Sequence, residues 1–408
     1  VGGIIRAVYS SSNGLEKRPK LRFPGFDDPW KETTLSALFS KSTQKNADGH
    51  ITNVICNSAK LGLIPQREYF DKDIANSDNT SGYYIIRQND FVYNPRKSSD
   101  APYGPISSYK YAEDGIVSPL YLCFHAKGEI NPLYYEWYFR SSAWHRYIYM
   151  SGDSGARHDR VSIKDDTFFA MPINLPSEQE QSKIASFLQS LDERIAAQEK
   201  LVASLKKYKR GVNNQILSQI DNSYNCRLGS VCEIVGGGTP DTLHAEYWGN
   251  TVEWFTPSEI GKTKYINNSV RKLSDIGLDN SSAKLLPIGT VLLTTRATLG
   301  EMSIAKRECS TNQGFQSLIP HTDRVSSEYL YYMQIIIKPW CEKYASGNTF
   351  REISKSALSD CIIPIPDRAR QEQIVKLLSS IDMIIDAAES ISMSLSKIRH
   401  GLMQQLFI

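Results

Sequence analysis

The chain has 408 residues, of which 41% are hydrophobic and 22% are charged, and its formal net charge at pH 7 is +3. This length allows two globular domains with connecting segments, and the composition is ordinary for a soluble globular protein. The small positive charge is compatible with nucleic-acid binding but does not indicate it alone.

The cysteines and the first residues bear on the cellular compartment. Seven cysteines are scattered without a Cys-x-x-Cys pair, which is typical of reduced thiols in the cytoplasm and excludes a zinc knuckle. Residues 1–20 lack the apolar core of a signal peptide, and no apolar run approaches the ~18 residues of a membrane span. We expect residues 1–22 to be a polar leader and the protein to be cytoplasmic.

The first half of the chain predicts a domain of mixed α and β structure over residues 23–175. Short β-type runs such as YYII at 83–86 alternate with polar clusters. Further on lies an aromatic amphipathic helix from Leu133, for which Asn131 is a good N-cap. The strand-like run AMPINLP, which ends at Pro176, closes this domain.

A long helix is predicted over residues 176–221. Ser177 and Glu180 have the spacing of a capping box directly after Pro176. Forty helical residues at 1.5 Å each give a rod of about 60 Å. Steps of alternately four and three residues define a 3.5-residue seam, which is typical of a coiled coil. This seam consists of Ile184, Leu188, Leu191, Ile195, Gln198, Val202, Leu205, Lys209, Val212 and Ile216.

The second half repeats this arrangement, with a domain over residues 222–365 and a second long helix over 366–408. The two helices match without a gap at one offset, 366 − 176 = 190 residues. Asp367 is the N-cap candidate of the second helix. Its seam consists of Ile374, Leu378, Ile381, Ile385, Ala388, Ser392, Leu395, Arg399, Leu402 and Leu406.

Landmarks of the two domains also repeat. Leu228 corresponds to Leu35, an aromatic helix from Tyr329 corresponds to the one from Leu133, and the run CIIPIP ends at Pro366 as AMPINLP ends at Pro176. We therefore expect an α+β fold, in which two pseudo-twofold-related domains are joined by two long antiparallel coiled-coil helices. Such a molecule suits a partner that is itself nearly twofold, and duplex DNA is the prime candidate.

The sequence lacks the signatures of an enzyme. Asn131-Pro132-Leu133-Tyr134 lacks the second proline of an amino-methyltransferase loop, and no Gly-rich loop follows a strand in a doubly wound pattern. Gly236-Gly237-Gly238 is not followed by the Lys-Ser/Thr of a phosphate-binding loop, so we interpret it as a turn that lets backbone approach closely. We expect no catalytic, metal or cofactor site in this chain.

Polar loop residues are the candidates for DNA contacts, because bases and phosphates are bound by such side chains and by backbone amides. The candidates of the first domain are Asn57, Ser58, Lys60, Arg87, Asn94, Arg96, Lys97, Arg157 and Arg160. Those of the second are Gly237, Thr239, Thr295, Arg296, Asn312, Gln313, Gln316, Asn348, Thr349 and Arg351. Arg296 suits guanine and Gln313 suits adenine, whereas solvated loops are the alternative for every candidate. The basic cluster around Lys206 and Arg210 is either a phosphate contact or a solvated face.

Several motifs carry a resemblance to a known family. They are the repeated Gln181/Ile184 and Gln371/Ile374 helix starts, VGGGTP at 235–240, WFTP at 254–257, NQG at 312–314, GLIPQ at 62–66 and DFVYNP at 90–95. Together they make the chain similar, over essentially its full length, to the specificity subunits of type I restriction–modification enzymes.

This resemblance implies a non-catalytic DNA-binding subunit. Its two target recognition domains would each read half of a split, asymmetric site, and its paired helices would set the spacer and bind two methyltransferase subunits. These would recruit restriction–translocase subunits, and S-adenosylmethionine, ATP and Mg²⁺ would belong to the partners. Two alternatives stay open: a recognition module of a fused methyltransferase–nuclease, and a coiled-coil DNA-binding scaffold without methyltransferase partners.

Overall fold

The computed structural model describes residues 6–7, 19–69, 80–152, 159–296, 298–347 and 351–407. The chain divides into two compact units: unit 1 contains Val1–Gln198 and Ile391–Ile408, and unit 2 contains Glu199–Ser390. Each unit therefore includes a part of both long helices. The candidates Arg157, Asn348 and Thr349 lie outside the described residues.

Unit 1 is built from short strands and helices that precede the first long helix. Its strands are β1 Arg6–Ala7, β2 Leu21–Arg22, β3 Lys31–Thr34, β4 Phe39–Lys41, β5 Ile55–Ser58, β6 Gly62–Pro65, β7 Tyr84–Ile86, β8 Phe91–Tyr93, β9 Ile106–Ser108, β10 Gly115–Val117, β11 Leu122–Ala126 and β12 Pro172–Leu175. Its helices are α1 Leu35–Leu38, α2 Gln66–Tyr69, α3 Pro132–Arg140, α4 His145–Ser151, α5 Asp165–Phe169, the first part of α6 Glu178–Ser218 and the last part of α11 Arg368–Leu406.

Unit 2 ends in the same order as unit 1, with four strands, three short helices and one strand before a long helix. Its strands are β13 Asn225–Arg227, β14 Cys232–Gly236, β15 Trp248–Gly249, β16 Val252–Phe255, β17 Tyr265–Ile266, β18 Arg271–Leu273, β19 Val291–Leu293, β20 Met302–Ala305, β21 Cys309–Thr311, β22 Gln316–Pro320 and β23 Ile362–Pro364. Its α-helices are the last part of α6, α7 Asp275–Asp279, α8 Ser327–Tyr332, α9 Gln334–Tyr344, α10 Lys355–Ser359 and the first part of α11 Arg368–Leu406.

The central sheets of the two units have the same strand order. In unit 1 the order is β4-β11-β8-β9, and in unit 2 it is β14-β22-β19-β20, with β17 added at the edge. The strands before the long helices pair alike, β12 with β3 and β23 with β13. Leu35 and Leu228, the landmarks at the start of the domains, are both fully buried. The expected α+β fold with a duplicated framework is confirmed.

Each aromatic helix is interrupted, although the sequence predicts one continuous helix in each unit. In unit 1 the helix stops after Arg140 and restarts at His145, and the Ser141 hydroxyl donates to the Tyr138 carbonyl at the break (2.6 Å). In unit 2 the interruption lies at Met333, between α8 and α9. Amphipathic periodicity continues across both breaks, which is why it did not reveal them.

The starts of the long helices explain the repeated glutamine. The side-chain amides of Gln181 and Gln371 donate to the carbonyls of Pro176 (3.1 Å) and Pro366 (2.9 Å), respectively. Both glutamines are buried, so these hydrogen bonds satisfy amides that would otherwise be costly to bury. Asp367 caps the second helix by accepting from the Arg370 amide (2.9 Å), as predicted.

The capping box predicted at the first long helix is only half formed. The Ser177 hydroxyl accepts from the Glu180 amide (3.3 Å), as the box requires. The Glu180 carboxylate, however, accepts two hydrogen bonds from the Arg22 guanidinium, at 2.7 and 2.8 Å. Because both side chains are buried, this ion pair attaches the start of α6 to β2.

The predicted seams are the buried sides of both helices. Every seam position is buried or half-buried, and the second-helix residues Leu402 and Leu406 belong to the core of unit 1. In unit 2, Lys206 pairs with Glu389 at 2.6 Å and Lys209 pairs with Asp382 at 2.5 Å. Since the partner's residue number falls as the lysine's residue number rises, α6 and α11 run antiparallel here.

Among the described residues, no helix combines the length and apolarity needed to cross a membrane.

Candidate nucleic-acid interface

A cleft of about 840 Å³ opens on unit 1 beside the ends of β5 and β8. It gathers all the described DNA-binding candidates of the first domain except Arg87. These are Asn57, Ser58, Lys60, Asn94, Arg96, Lys97 and Arg160. The lining thus contains four cationic side chains against one carboxylate, that of Asp100, so positive charge is concentrated in this cleft although the net charge of the whole chain is only +3.

Two of these candidates form the floor of the cleft. The Asn57 amide donates to the carbonyls of Val92 (2.8 Å) and Pro105 (3.2 Å), and its oxygen accepts from the Ser107 hydroxyl (2.8 Å). The Asn94 amide donates to the Asn57 carbonyl at 3.2 Å. Their hydrogen-bonding groups are therefore occupied within the protein, and neither side chain is available to read a base.

The cations are better placed for a ligand. Lys60 lies 3.7 Å from Asp100 and is strongly exposed, so this ion pair is weak and easily exchanged. Arg96 and Arg160 form an isolated antiparallel bridge, so two cationic residues are backbone neighbours in the lining of the cleft. The Arg160 Nε is buried and has no hydrogen-bond partner among the described residues, while Asp159 Oδ2 lies 3.8 Å away. An anion bound in the cleft would offset the positive charges of these two arginines and would give the Arg160 Nε a hydrogen-bond acceptor.

Arg87 is not part of this surface. Its guanidinium donates to Gln44 Oε1 (2.9 Å) and lies 3.5 Å from Asp114. The residue therefore connects two loops away from the cleft lining, and a DNA-binding role for it stays a prediction without geometric support.

In unit 2, the segment after β19 is held firmly by the neighbouring loop. The Thr295 amide donates to the Gly314 carbonyl at 2.8 Å, and Thr295 is fully buried. The next residue, Arg296, is exposed, and its Nε donates to Glu352 Oε2 at 3.0 Å. The Thr295 hydroxyl donates to the other carboxylate oxygen of Glu352 at 3.3 Å. Thr295 thus has a structural role, whereas Arg296 is accessible at the surface.

The glycine turn at 236–238 approaches its own chain closely, in line with its interpretation from the sequence. A Cβ at Gly237 would collide with the carbonyl of Asn312, and one at Gly238 would collide with Ser282. The Thr239 hydroxyl donates to Gln313 Oε1, which occupies part of the amide proposed to read adenine.

Three further candidates of the second domain also have local roles. Asn312 Oδ1 accepts from the Gly314 amide at 2.9 Å, which shapes the turn. Gln316 is half-buried, and its Oε1 has no hydrogen-bond partner among the described residues. The Arg351 guanidinium donates to the Glu342 carbonyl at 2.5 Å, so it satisfies the C-terminal end of α9.

The structure includes contributors that the sequence did not single out. Gln66, Asp100 and Tyr121 line the cleft of unit 1, and Glu352 holds Arg296 in unit 2. No local motif marks these residues, since they become neighbours only through the tertiary fold. The basic cluster on α6 differs from both interpretations, because Lys206 and Lys209 pair with carboxylates of α11. In the described part of the chain, no three His, Cys, Asp or Glu residues are grouped to hold a metal ion.

Comparison with known proteins shows the same duplication. A family model described as the type I restriction modification DNA specificity domain matches residues 37–207 and, separately, residues 221–395. The specificity subunit of the type I restriction enzyme MjaIX from Methanocaldococcus jannaschii is 35% identical over 186 residues, which cover 45% of this chain and 43% of that protein. The EcoR124I/EcoR124II specificity subunit from Escherichia coli is 25% identical over 246 residues, covering 56% of this chain and 60% of that protein. The chain spans about half the length of the curated relatives it matches.

A solved structure agrees with the fold over nearly the whole chain. It comes from work on complex assembly and conformational transition of the type I R-M system. Its TM-score is 0.63 at 19% sequence identity, and the alignment covers 93% of this chain and 97% of that one. At this identity, the likeness shows a shared fold.

Proposed function

This chain belongs to the type I restriction modification DNA specificity domain family, and we propose that it is the DNA-reading specificity subunit of a type I restriction–modification complex. The observation that carries this proposal is that the family matches each half separately, while both halves have the same central strand order. A repeated scaffold with dissimilar loops suits a bipartite, asymmetric DNA site, because each domain then reads its own half-site.

The electrostatics of unit 1 support a DNA ligand. The four cations of its cleft occur in a chain whose net charge is only +3, so the positive potential is concentrated at the predicted reading loops. Phosphate groups would neutralise Lys60, Lys97 and Arg160 and would release counterions on binding.

The long helices are suited to fixing the spacer between the half-sites. Each helix contributes to the cores of both units: Ile184 and Leu402 lie in the core of unit 1, and Ile216 and Ile374 lie in that of unit 2. A helix built into two cores resists a change of length or rotation. We propose that the helix pair thereby sets the number of unread base pairs.

Exposed apolar residues on the helices suit the binding of two methyltransferase subunits. Leu201 and Tyr208 on α6 in unit 2 are 48% and 60% exposed. At the repeat offset, Ile391 and Ile398 on α11 in unit 1 are both 49% exposed. Apolar residues beside a helix seam are typical of helices that pack against a further helix. Two equivalent pairs, one in each unit, suit two identical partners.

In this proposal the chain itself catalyses nothing. The methyltransferase partners bind S-adenosylmethionine, and restriction–translocase subunits, recruited through them, use ATP and Mg²⁺. The chain determines the DNA sequence on which all of these subunits act. This division of roles agrees with the sequence, in which no methyltransferase or phosphate-binding motif was found.

Methylome sequencing of cells with and without this chain tests the proposed function. We expect one split motif to be methylated only when the chain is present together with the methyltransferase subunits. A motif that persists without the chain would contradict the proposal.

The spacer role has its own test. Seven residues inserted after Gln198 and after Ala388, which are equivalent seam positions, preserve the 3.5-residue seam and lengthen each helix by about 10 Å. We expect a spacer longer by about three base pairs, at ~3.4 Å per pair, with unchanged half-sites. An unchanged spacer in a folded variant would contradict it.

The binding surfaces can be tested by counting methyltransferase subunits in the purified complex by native mass spectrometry. Ile391→Asp with Ile398→Asp should reduce two copies to one, and adding Leu201→Asp with Tyr208→Asp should leave none. Val270→Asp, at a position that is 86% exposed and is not part of either long helix, is the matched control. Two copies retained by the fourfold variant would exclude these surfaces.

A further inference from the structure

Equivalent arginines follow the central strands β8 and β19. A residue with positive φ precedes each strand: Asn89 has φ 70° and Gly289 has φ 88°. Arg96 and Arg296 each come seven positions after that turn, so both pairs share an offset of 200 residues.

The strand register confirms this equivalence independently. In unit 1, β8 pairs with β11 through Phe91 and Phe124, while in unit 2, β19 pairs with β22 through Val291 and Leu318. Phe91 and Val291 are again 200 residues apart. The common scaffold therefore places an arginine at the same point of each domain, although the surrounding loops differ.

The position of Arg296 is fixed from both sides. Before it, the Thr295 amide is bound to the Gly314 carbonyl, as described above. After it, the Thr294 hydroxyl donates to the Thr298 carbonyl at 2.7 Å and closes the loop. Thr298 has φ 69°, a strained conformation for a β-branched residue, and such strain concentrates at functional sites.

Glu352 orients the arginine side chain. Its backbone is fixed by paired hydrogen bonds with Ser346, at 2.9 and 3.0 Å, and its carboxylate binds Arg296 Nε. Because the contact with the carboxylate is through Nε, the end-on pair of N–H groups, one on each Nη, is left to meet a ligand. Paired donors of this kind match the O6 and N7 acceptors of guanine in the major groove.

The same carboxylate favours a base over a phosphate. A phosphate bound to Arg296 would lie close to the negative charge of Glu352, whereas a neutral base edge meets no such repulsion. Among the described residues, Arg96 has no ion pair or side-chain hydrogen bond, and it lines the cationic cleft of unit 1.

We propose that Arg296, held by Glu352, reads a guanine in the half-site of the second domain, and that Arg96 is the reading residue at the equivalent position of the first. Glu352 is a positioning residue that acts through Arg296. This inference rests on the proposed function, since it requires that the domains bind separate half-sites.

The test measures binding of the reconstituted complex to a duplex library in which every position of both half-sites is varied. For Arg296→Gln we expect the preference for guanine over other bases to fall by about 5- to 150-fold at one position of the second half-site only. Arg96→Gln should change one position of the first half-site only. Glu352→Gln should weaken the same guanine preference as Arg296→Gln while leaving the melting temperature and the first half-site unchanged.

Arg307→Gln, which removes an exposed cation of unit 2, is the matched control and should change no base preference. Equal loss of affinity for all sequences in Arg296→Gln would show a phosphate contact and overturn the inference, as would unaltered preferences. A wild-type complex that selects no split site would instead refute the proposed function and the inference with it.

Discussion

Lys209 and Asp382 form an ion pair between α6 and α11 in unit 2, with 2.5 Å between Nζ and Oδ1. At the repeat offset of 190 residues, the equivalents of these residues are Arg399 and Asp192, and they form an ion pair in unit 1. The cation and the carboxylate thus exchange helices from one unit to the other. This reciprocity follows from the duplication, because each unit contains the beginning of one long helix and the end of the other.

Reversing one charge of this pair should destabilise unit 2. Lys209→Glu places a second carboxylate beside Asp382, which also accepts from the Tyr332 hydroxyl at 2.7 Å. We expect the free energy of unfolding to fall by about 1–3 kcal/mol, measured by urea denaturation. The exchanged variant, Lys209→Asp with Asp382→Lys, should recover most of this loss. If it is as unstable as the single variant, charge attraction is not what the pair contributes.

Removing one member of the buried pair Arg22–Glu180 should be more damaging. The two side chains are only 3% and 1% exposed, so Glu180→Ala leaves a guanidinium buried without its counter-charge. We expect a loss of about 3–5 kcal/mol in the free energy of unfolding. The double variant Arg22→Met with Glu180→Leu buries no charge and should be clearly more stable than Glu180→Ala. The reverse order in denaturation would refute this account.

Cations of the cleft in unit 1 should control the salt dependence of DNA binding. Each phosphate contact contributes about 0.9 to the slope of log affinity against log salt. We therefore expect Lys97→Gln with Arg160→Gln to reduce the slope by about two, measured by titration at several salt concentrations. Arg87→Gln is the matched control, because Arg87 lies outside the cleft lining and should leave the slope unchanged. Equal slopes in the wild type and both variants would exclude phosphate contacts by Lys97 and Arg160.

Cysteine modification offers a probe of the same cleft. Cys56 lines it and is half-buried, and burial raises the pKa of its thiol. Burial raises the pKa of Cys123 to about 12, which leaves roughly one thiolate in 10⁴ at pH 8. We expect Cys56 to be alkylated before Cys123, more rapidly as the pH rises, and more slowly when specific DNA is bound.

Mass spectrometry after timed alkylation measures these rates at each residue. Cys226, which is half-buried in unit 2 outside the cleft, serves as the internal control and should react equally with and without DNA. If specific DNA does not slow the alkylation of Cys56 in a complex that is known to bind this DNA, the DNA does not lie in the cleft of unit 1.

The framework of the fold was predictable from the sequence because it occurs twice, so that each feature of one copy can be compared with its equivalent in the other. A gap-free repeat fixes the seams, and Gln181 and Gln371 recur because the same proline carbonyl needs a donor in each copy. The helix breaks near Ser141 and Met333 were not predictable, since the aromatic pattern continues through them.

For the candidate interface, the sequence indicated a region and not the individual contacts. Lys60, Arg96 and Arg160 were expected to bind DNA, and they line one cleft. Asn57 was expected to do the same, but it lies in the floor of this cleft, where its side-chain amide is hydrogen-bonded to the protein itself. Polar residue type alone does not tell a surface group from a buried one, because both need hydrogen-bond partners. Glu352 was missed for a related reason: its importance comes from Arg296, 56 residues away in the chain.

The packing of Phe407 against Tyr134 and Tyr138 has a consequence for biosynthesis. These aromatic contacts belong to the core of unit 1, although about 190 residues of unit 2 are translated in between. At typical elongation rates this delay is roughly 10–40 s. During that time the core of unit 1 lacks the residues that α11 contributes to it. The nascent chain therefore exposes apolar surface, which chaperones would have to shield until residues 391–407 leave the ribosome.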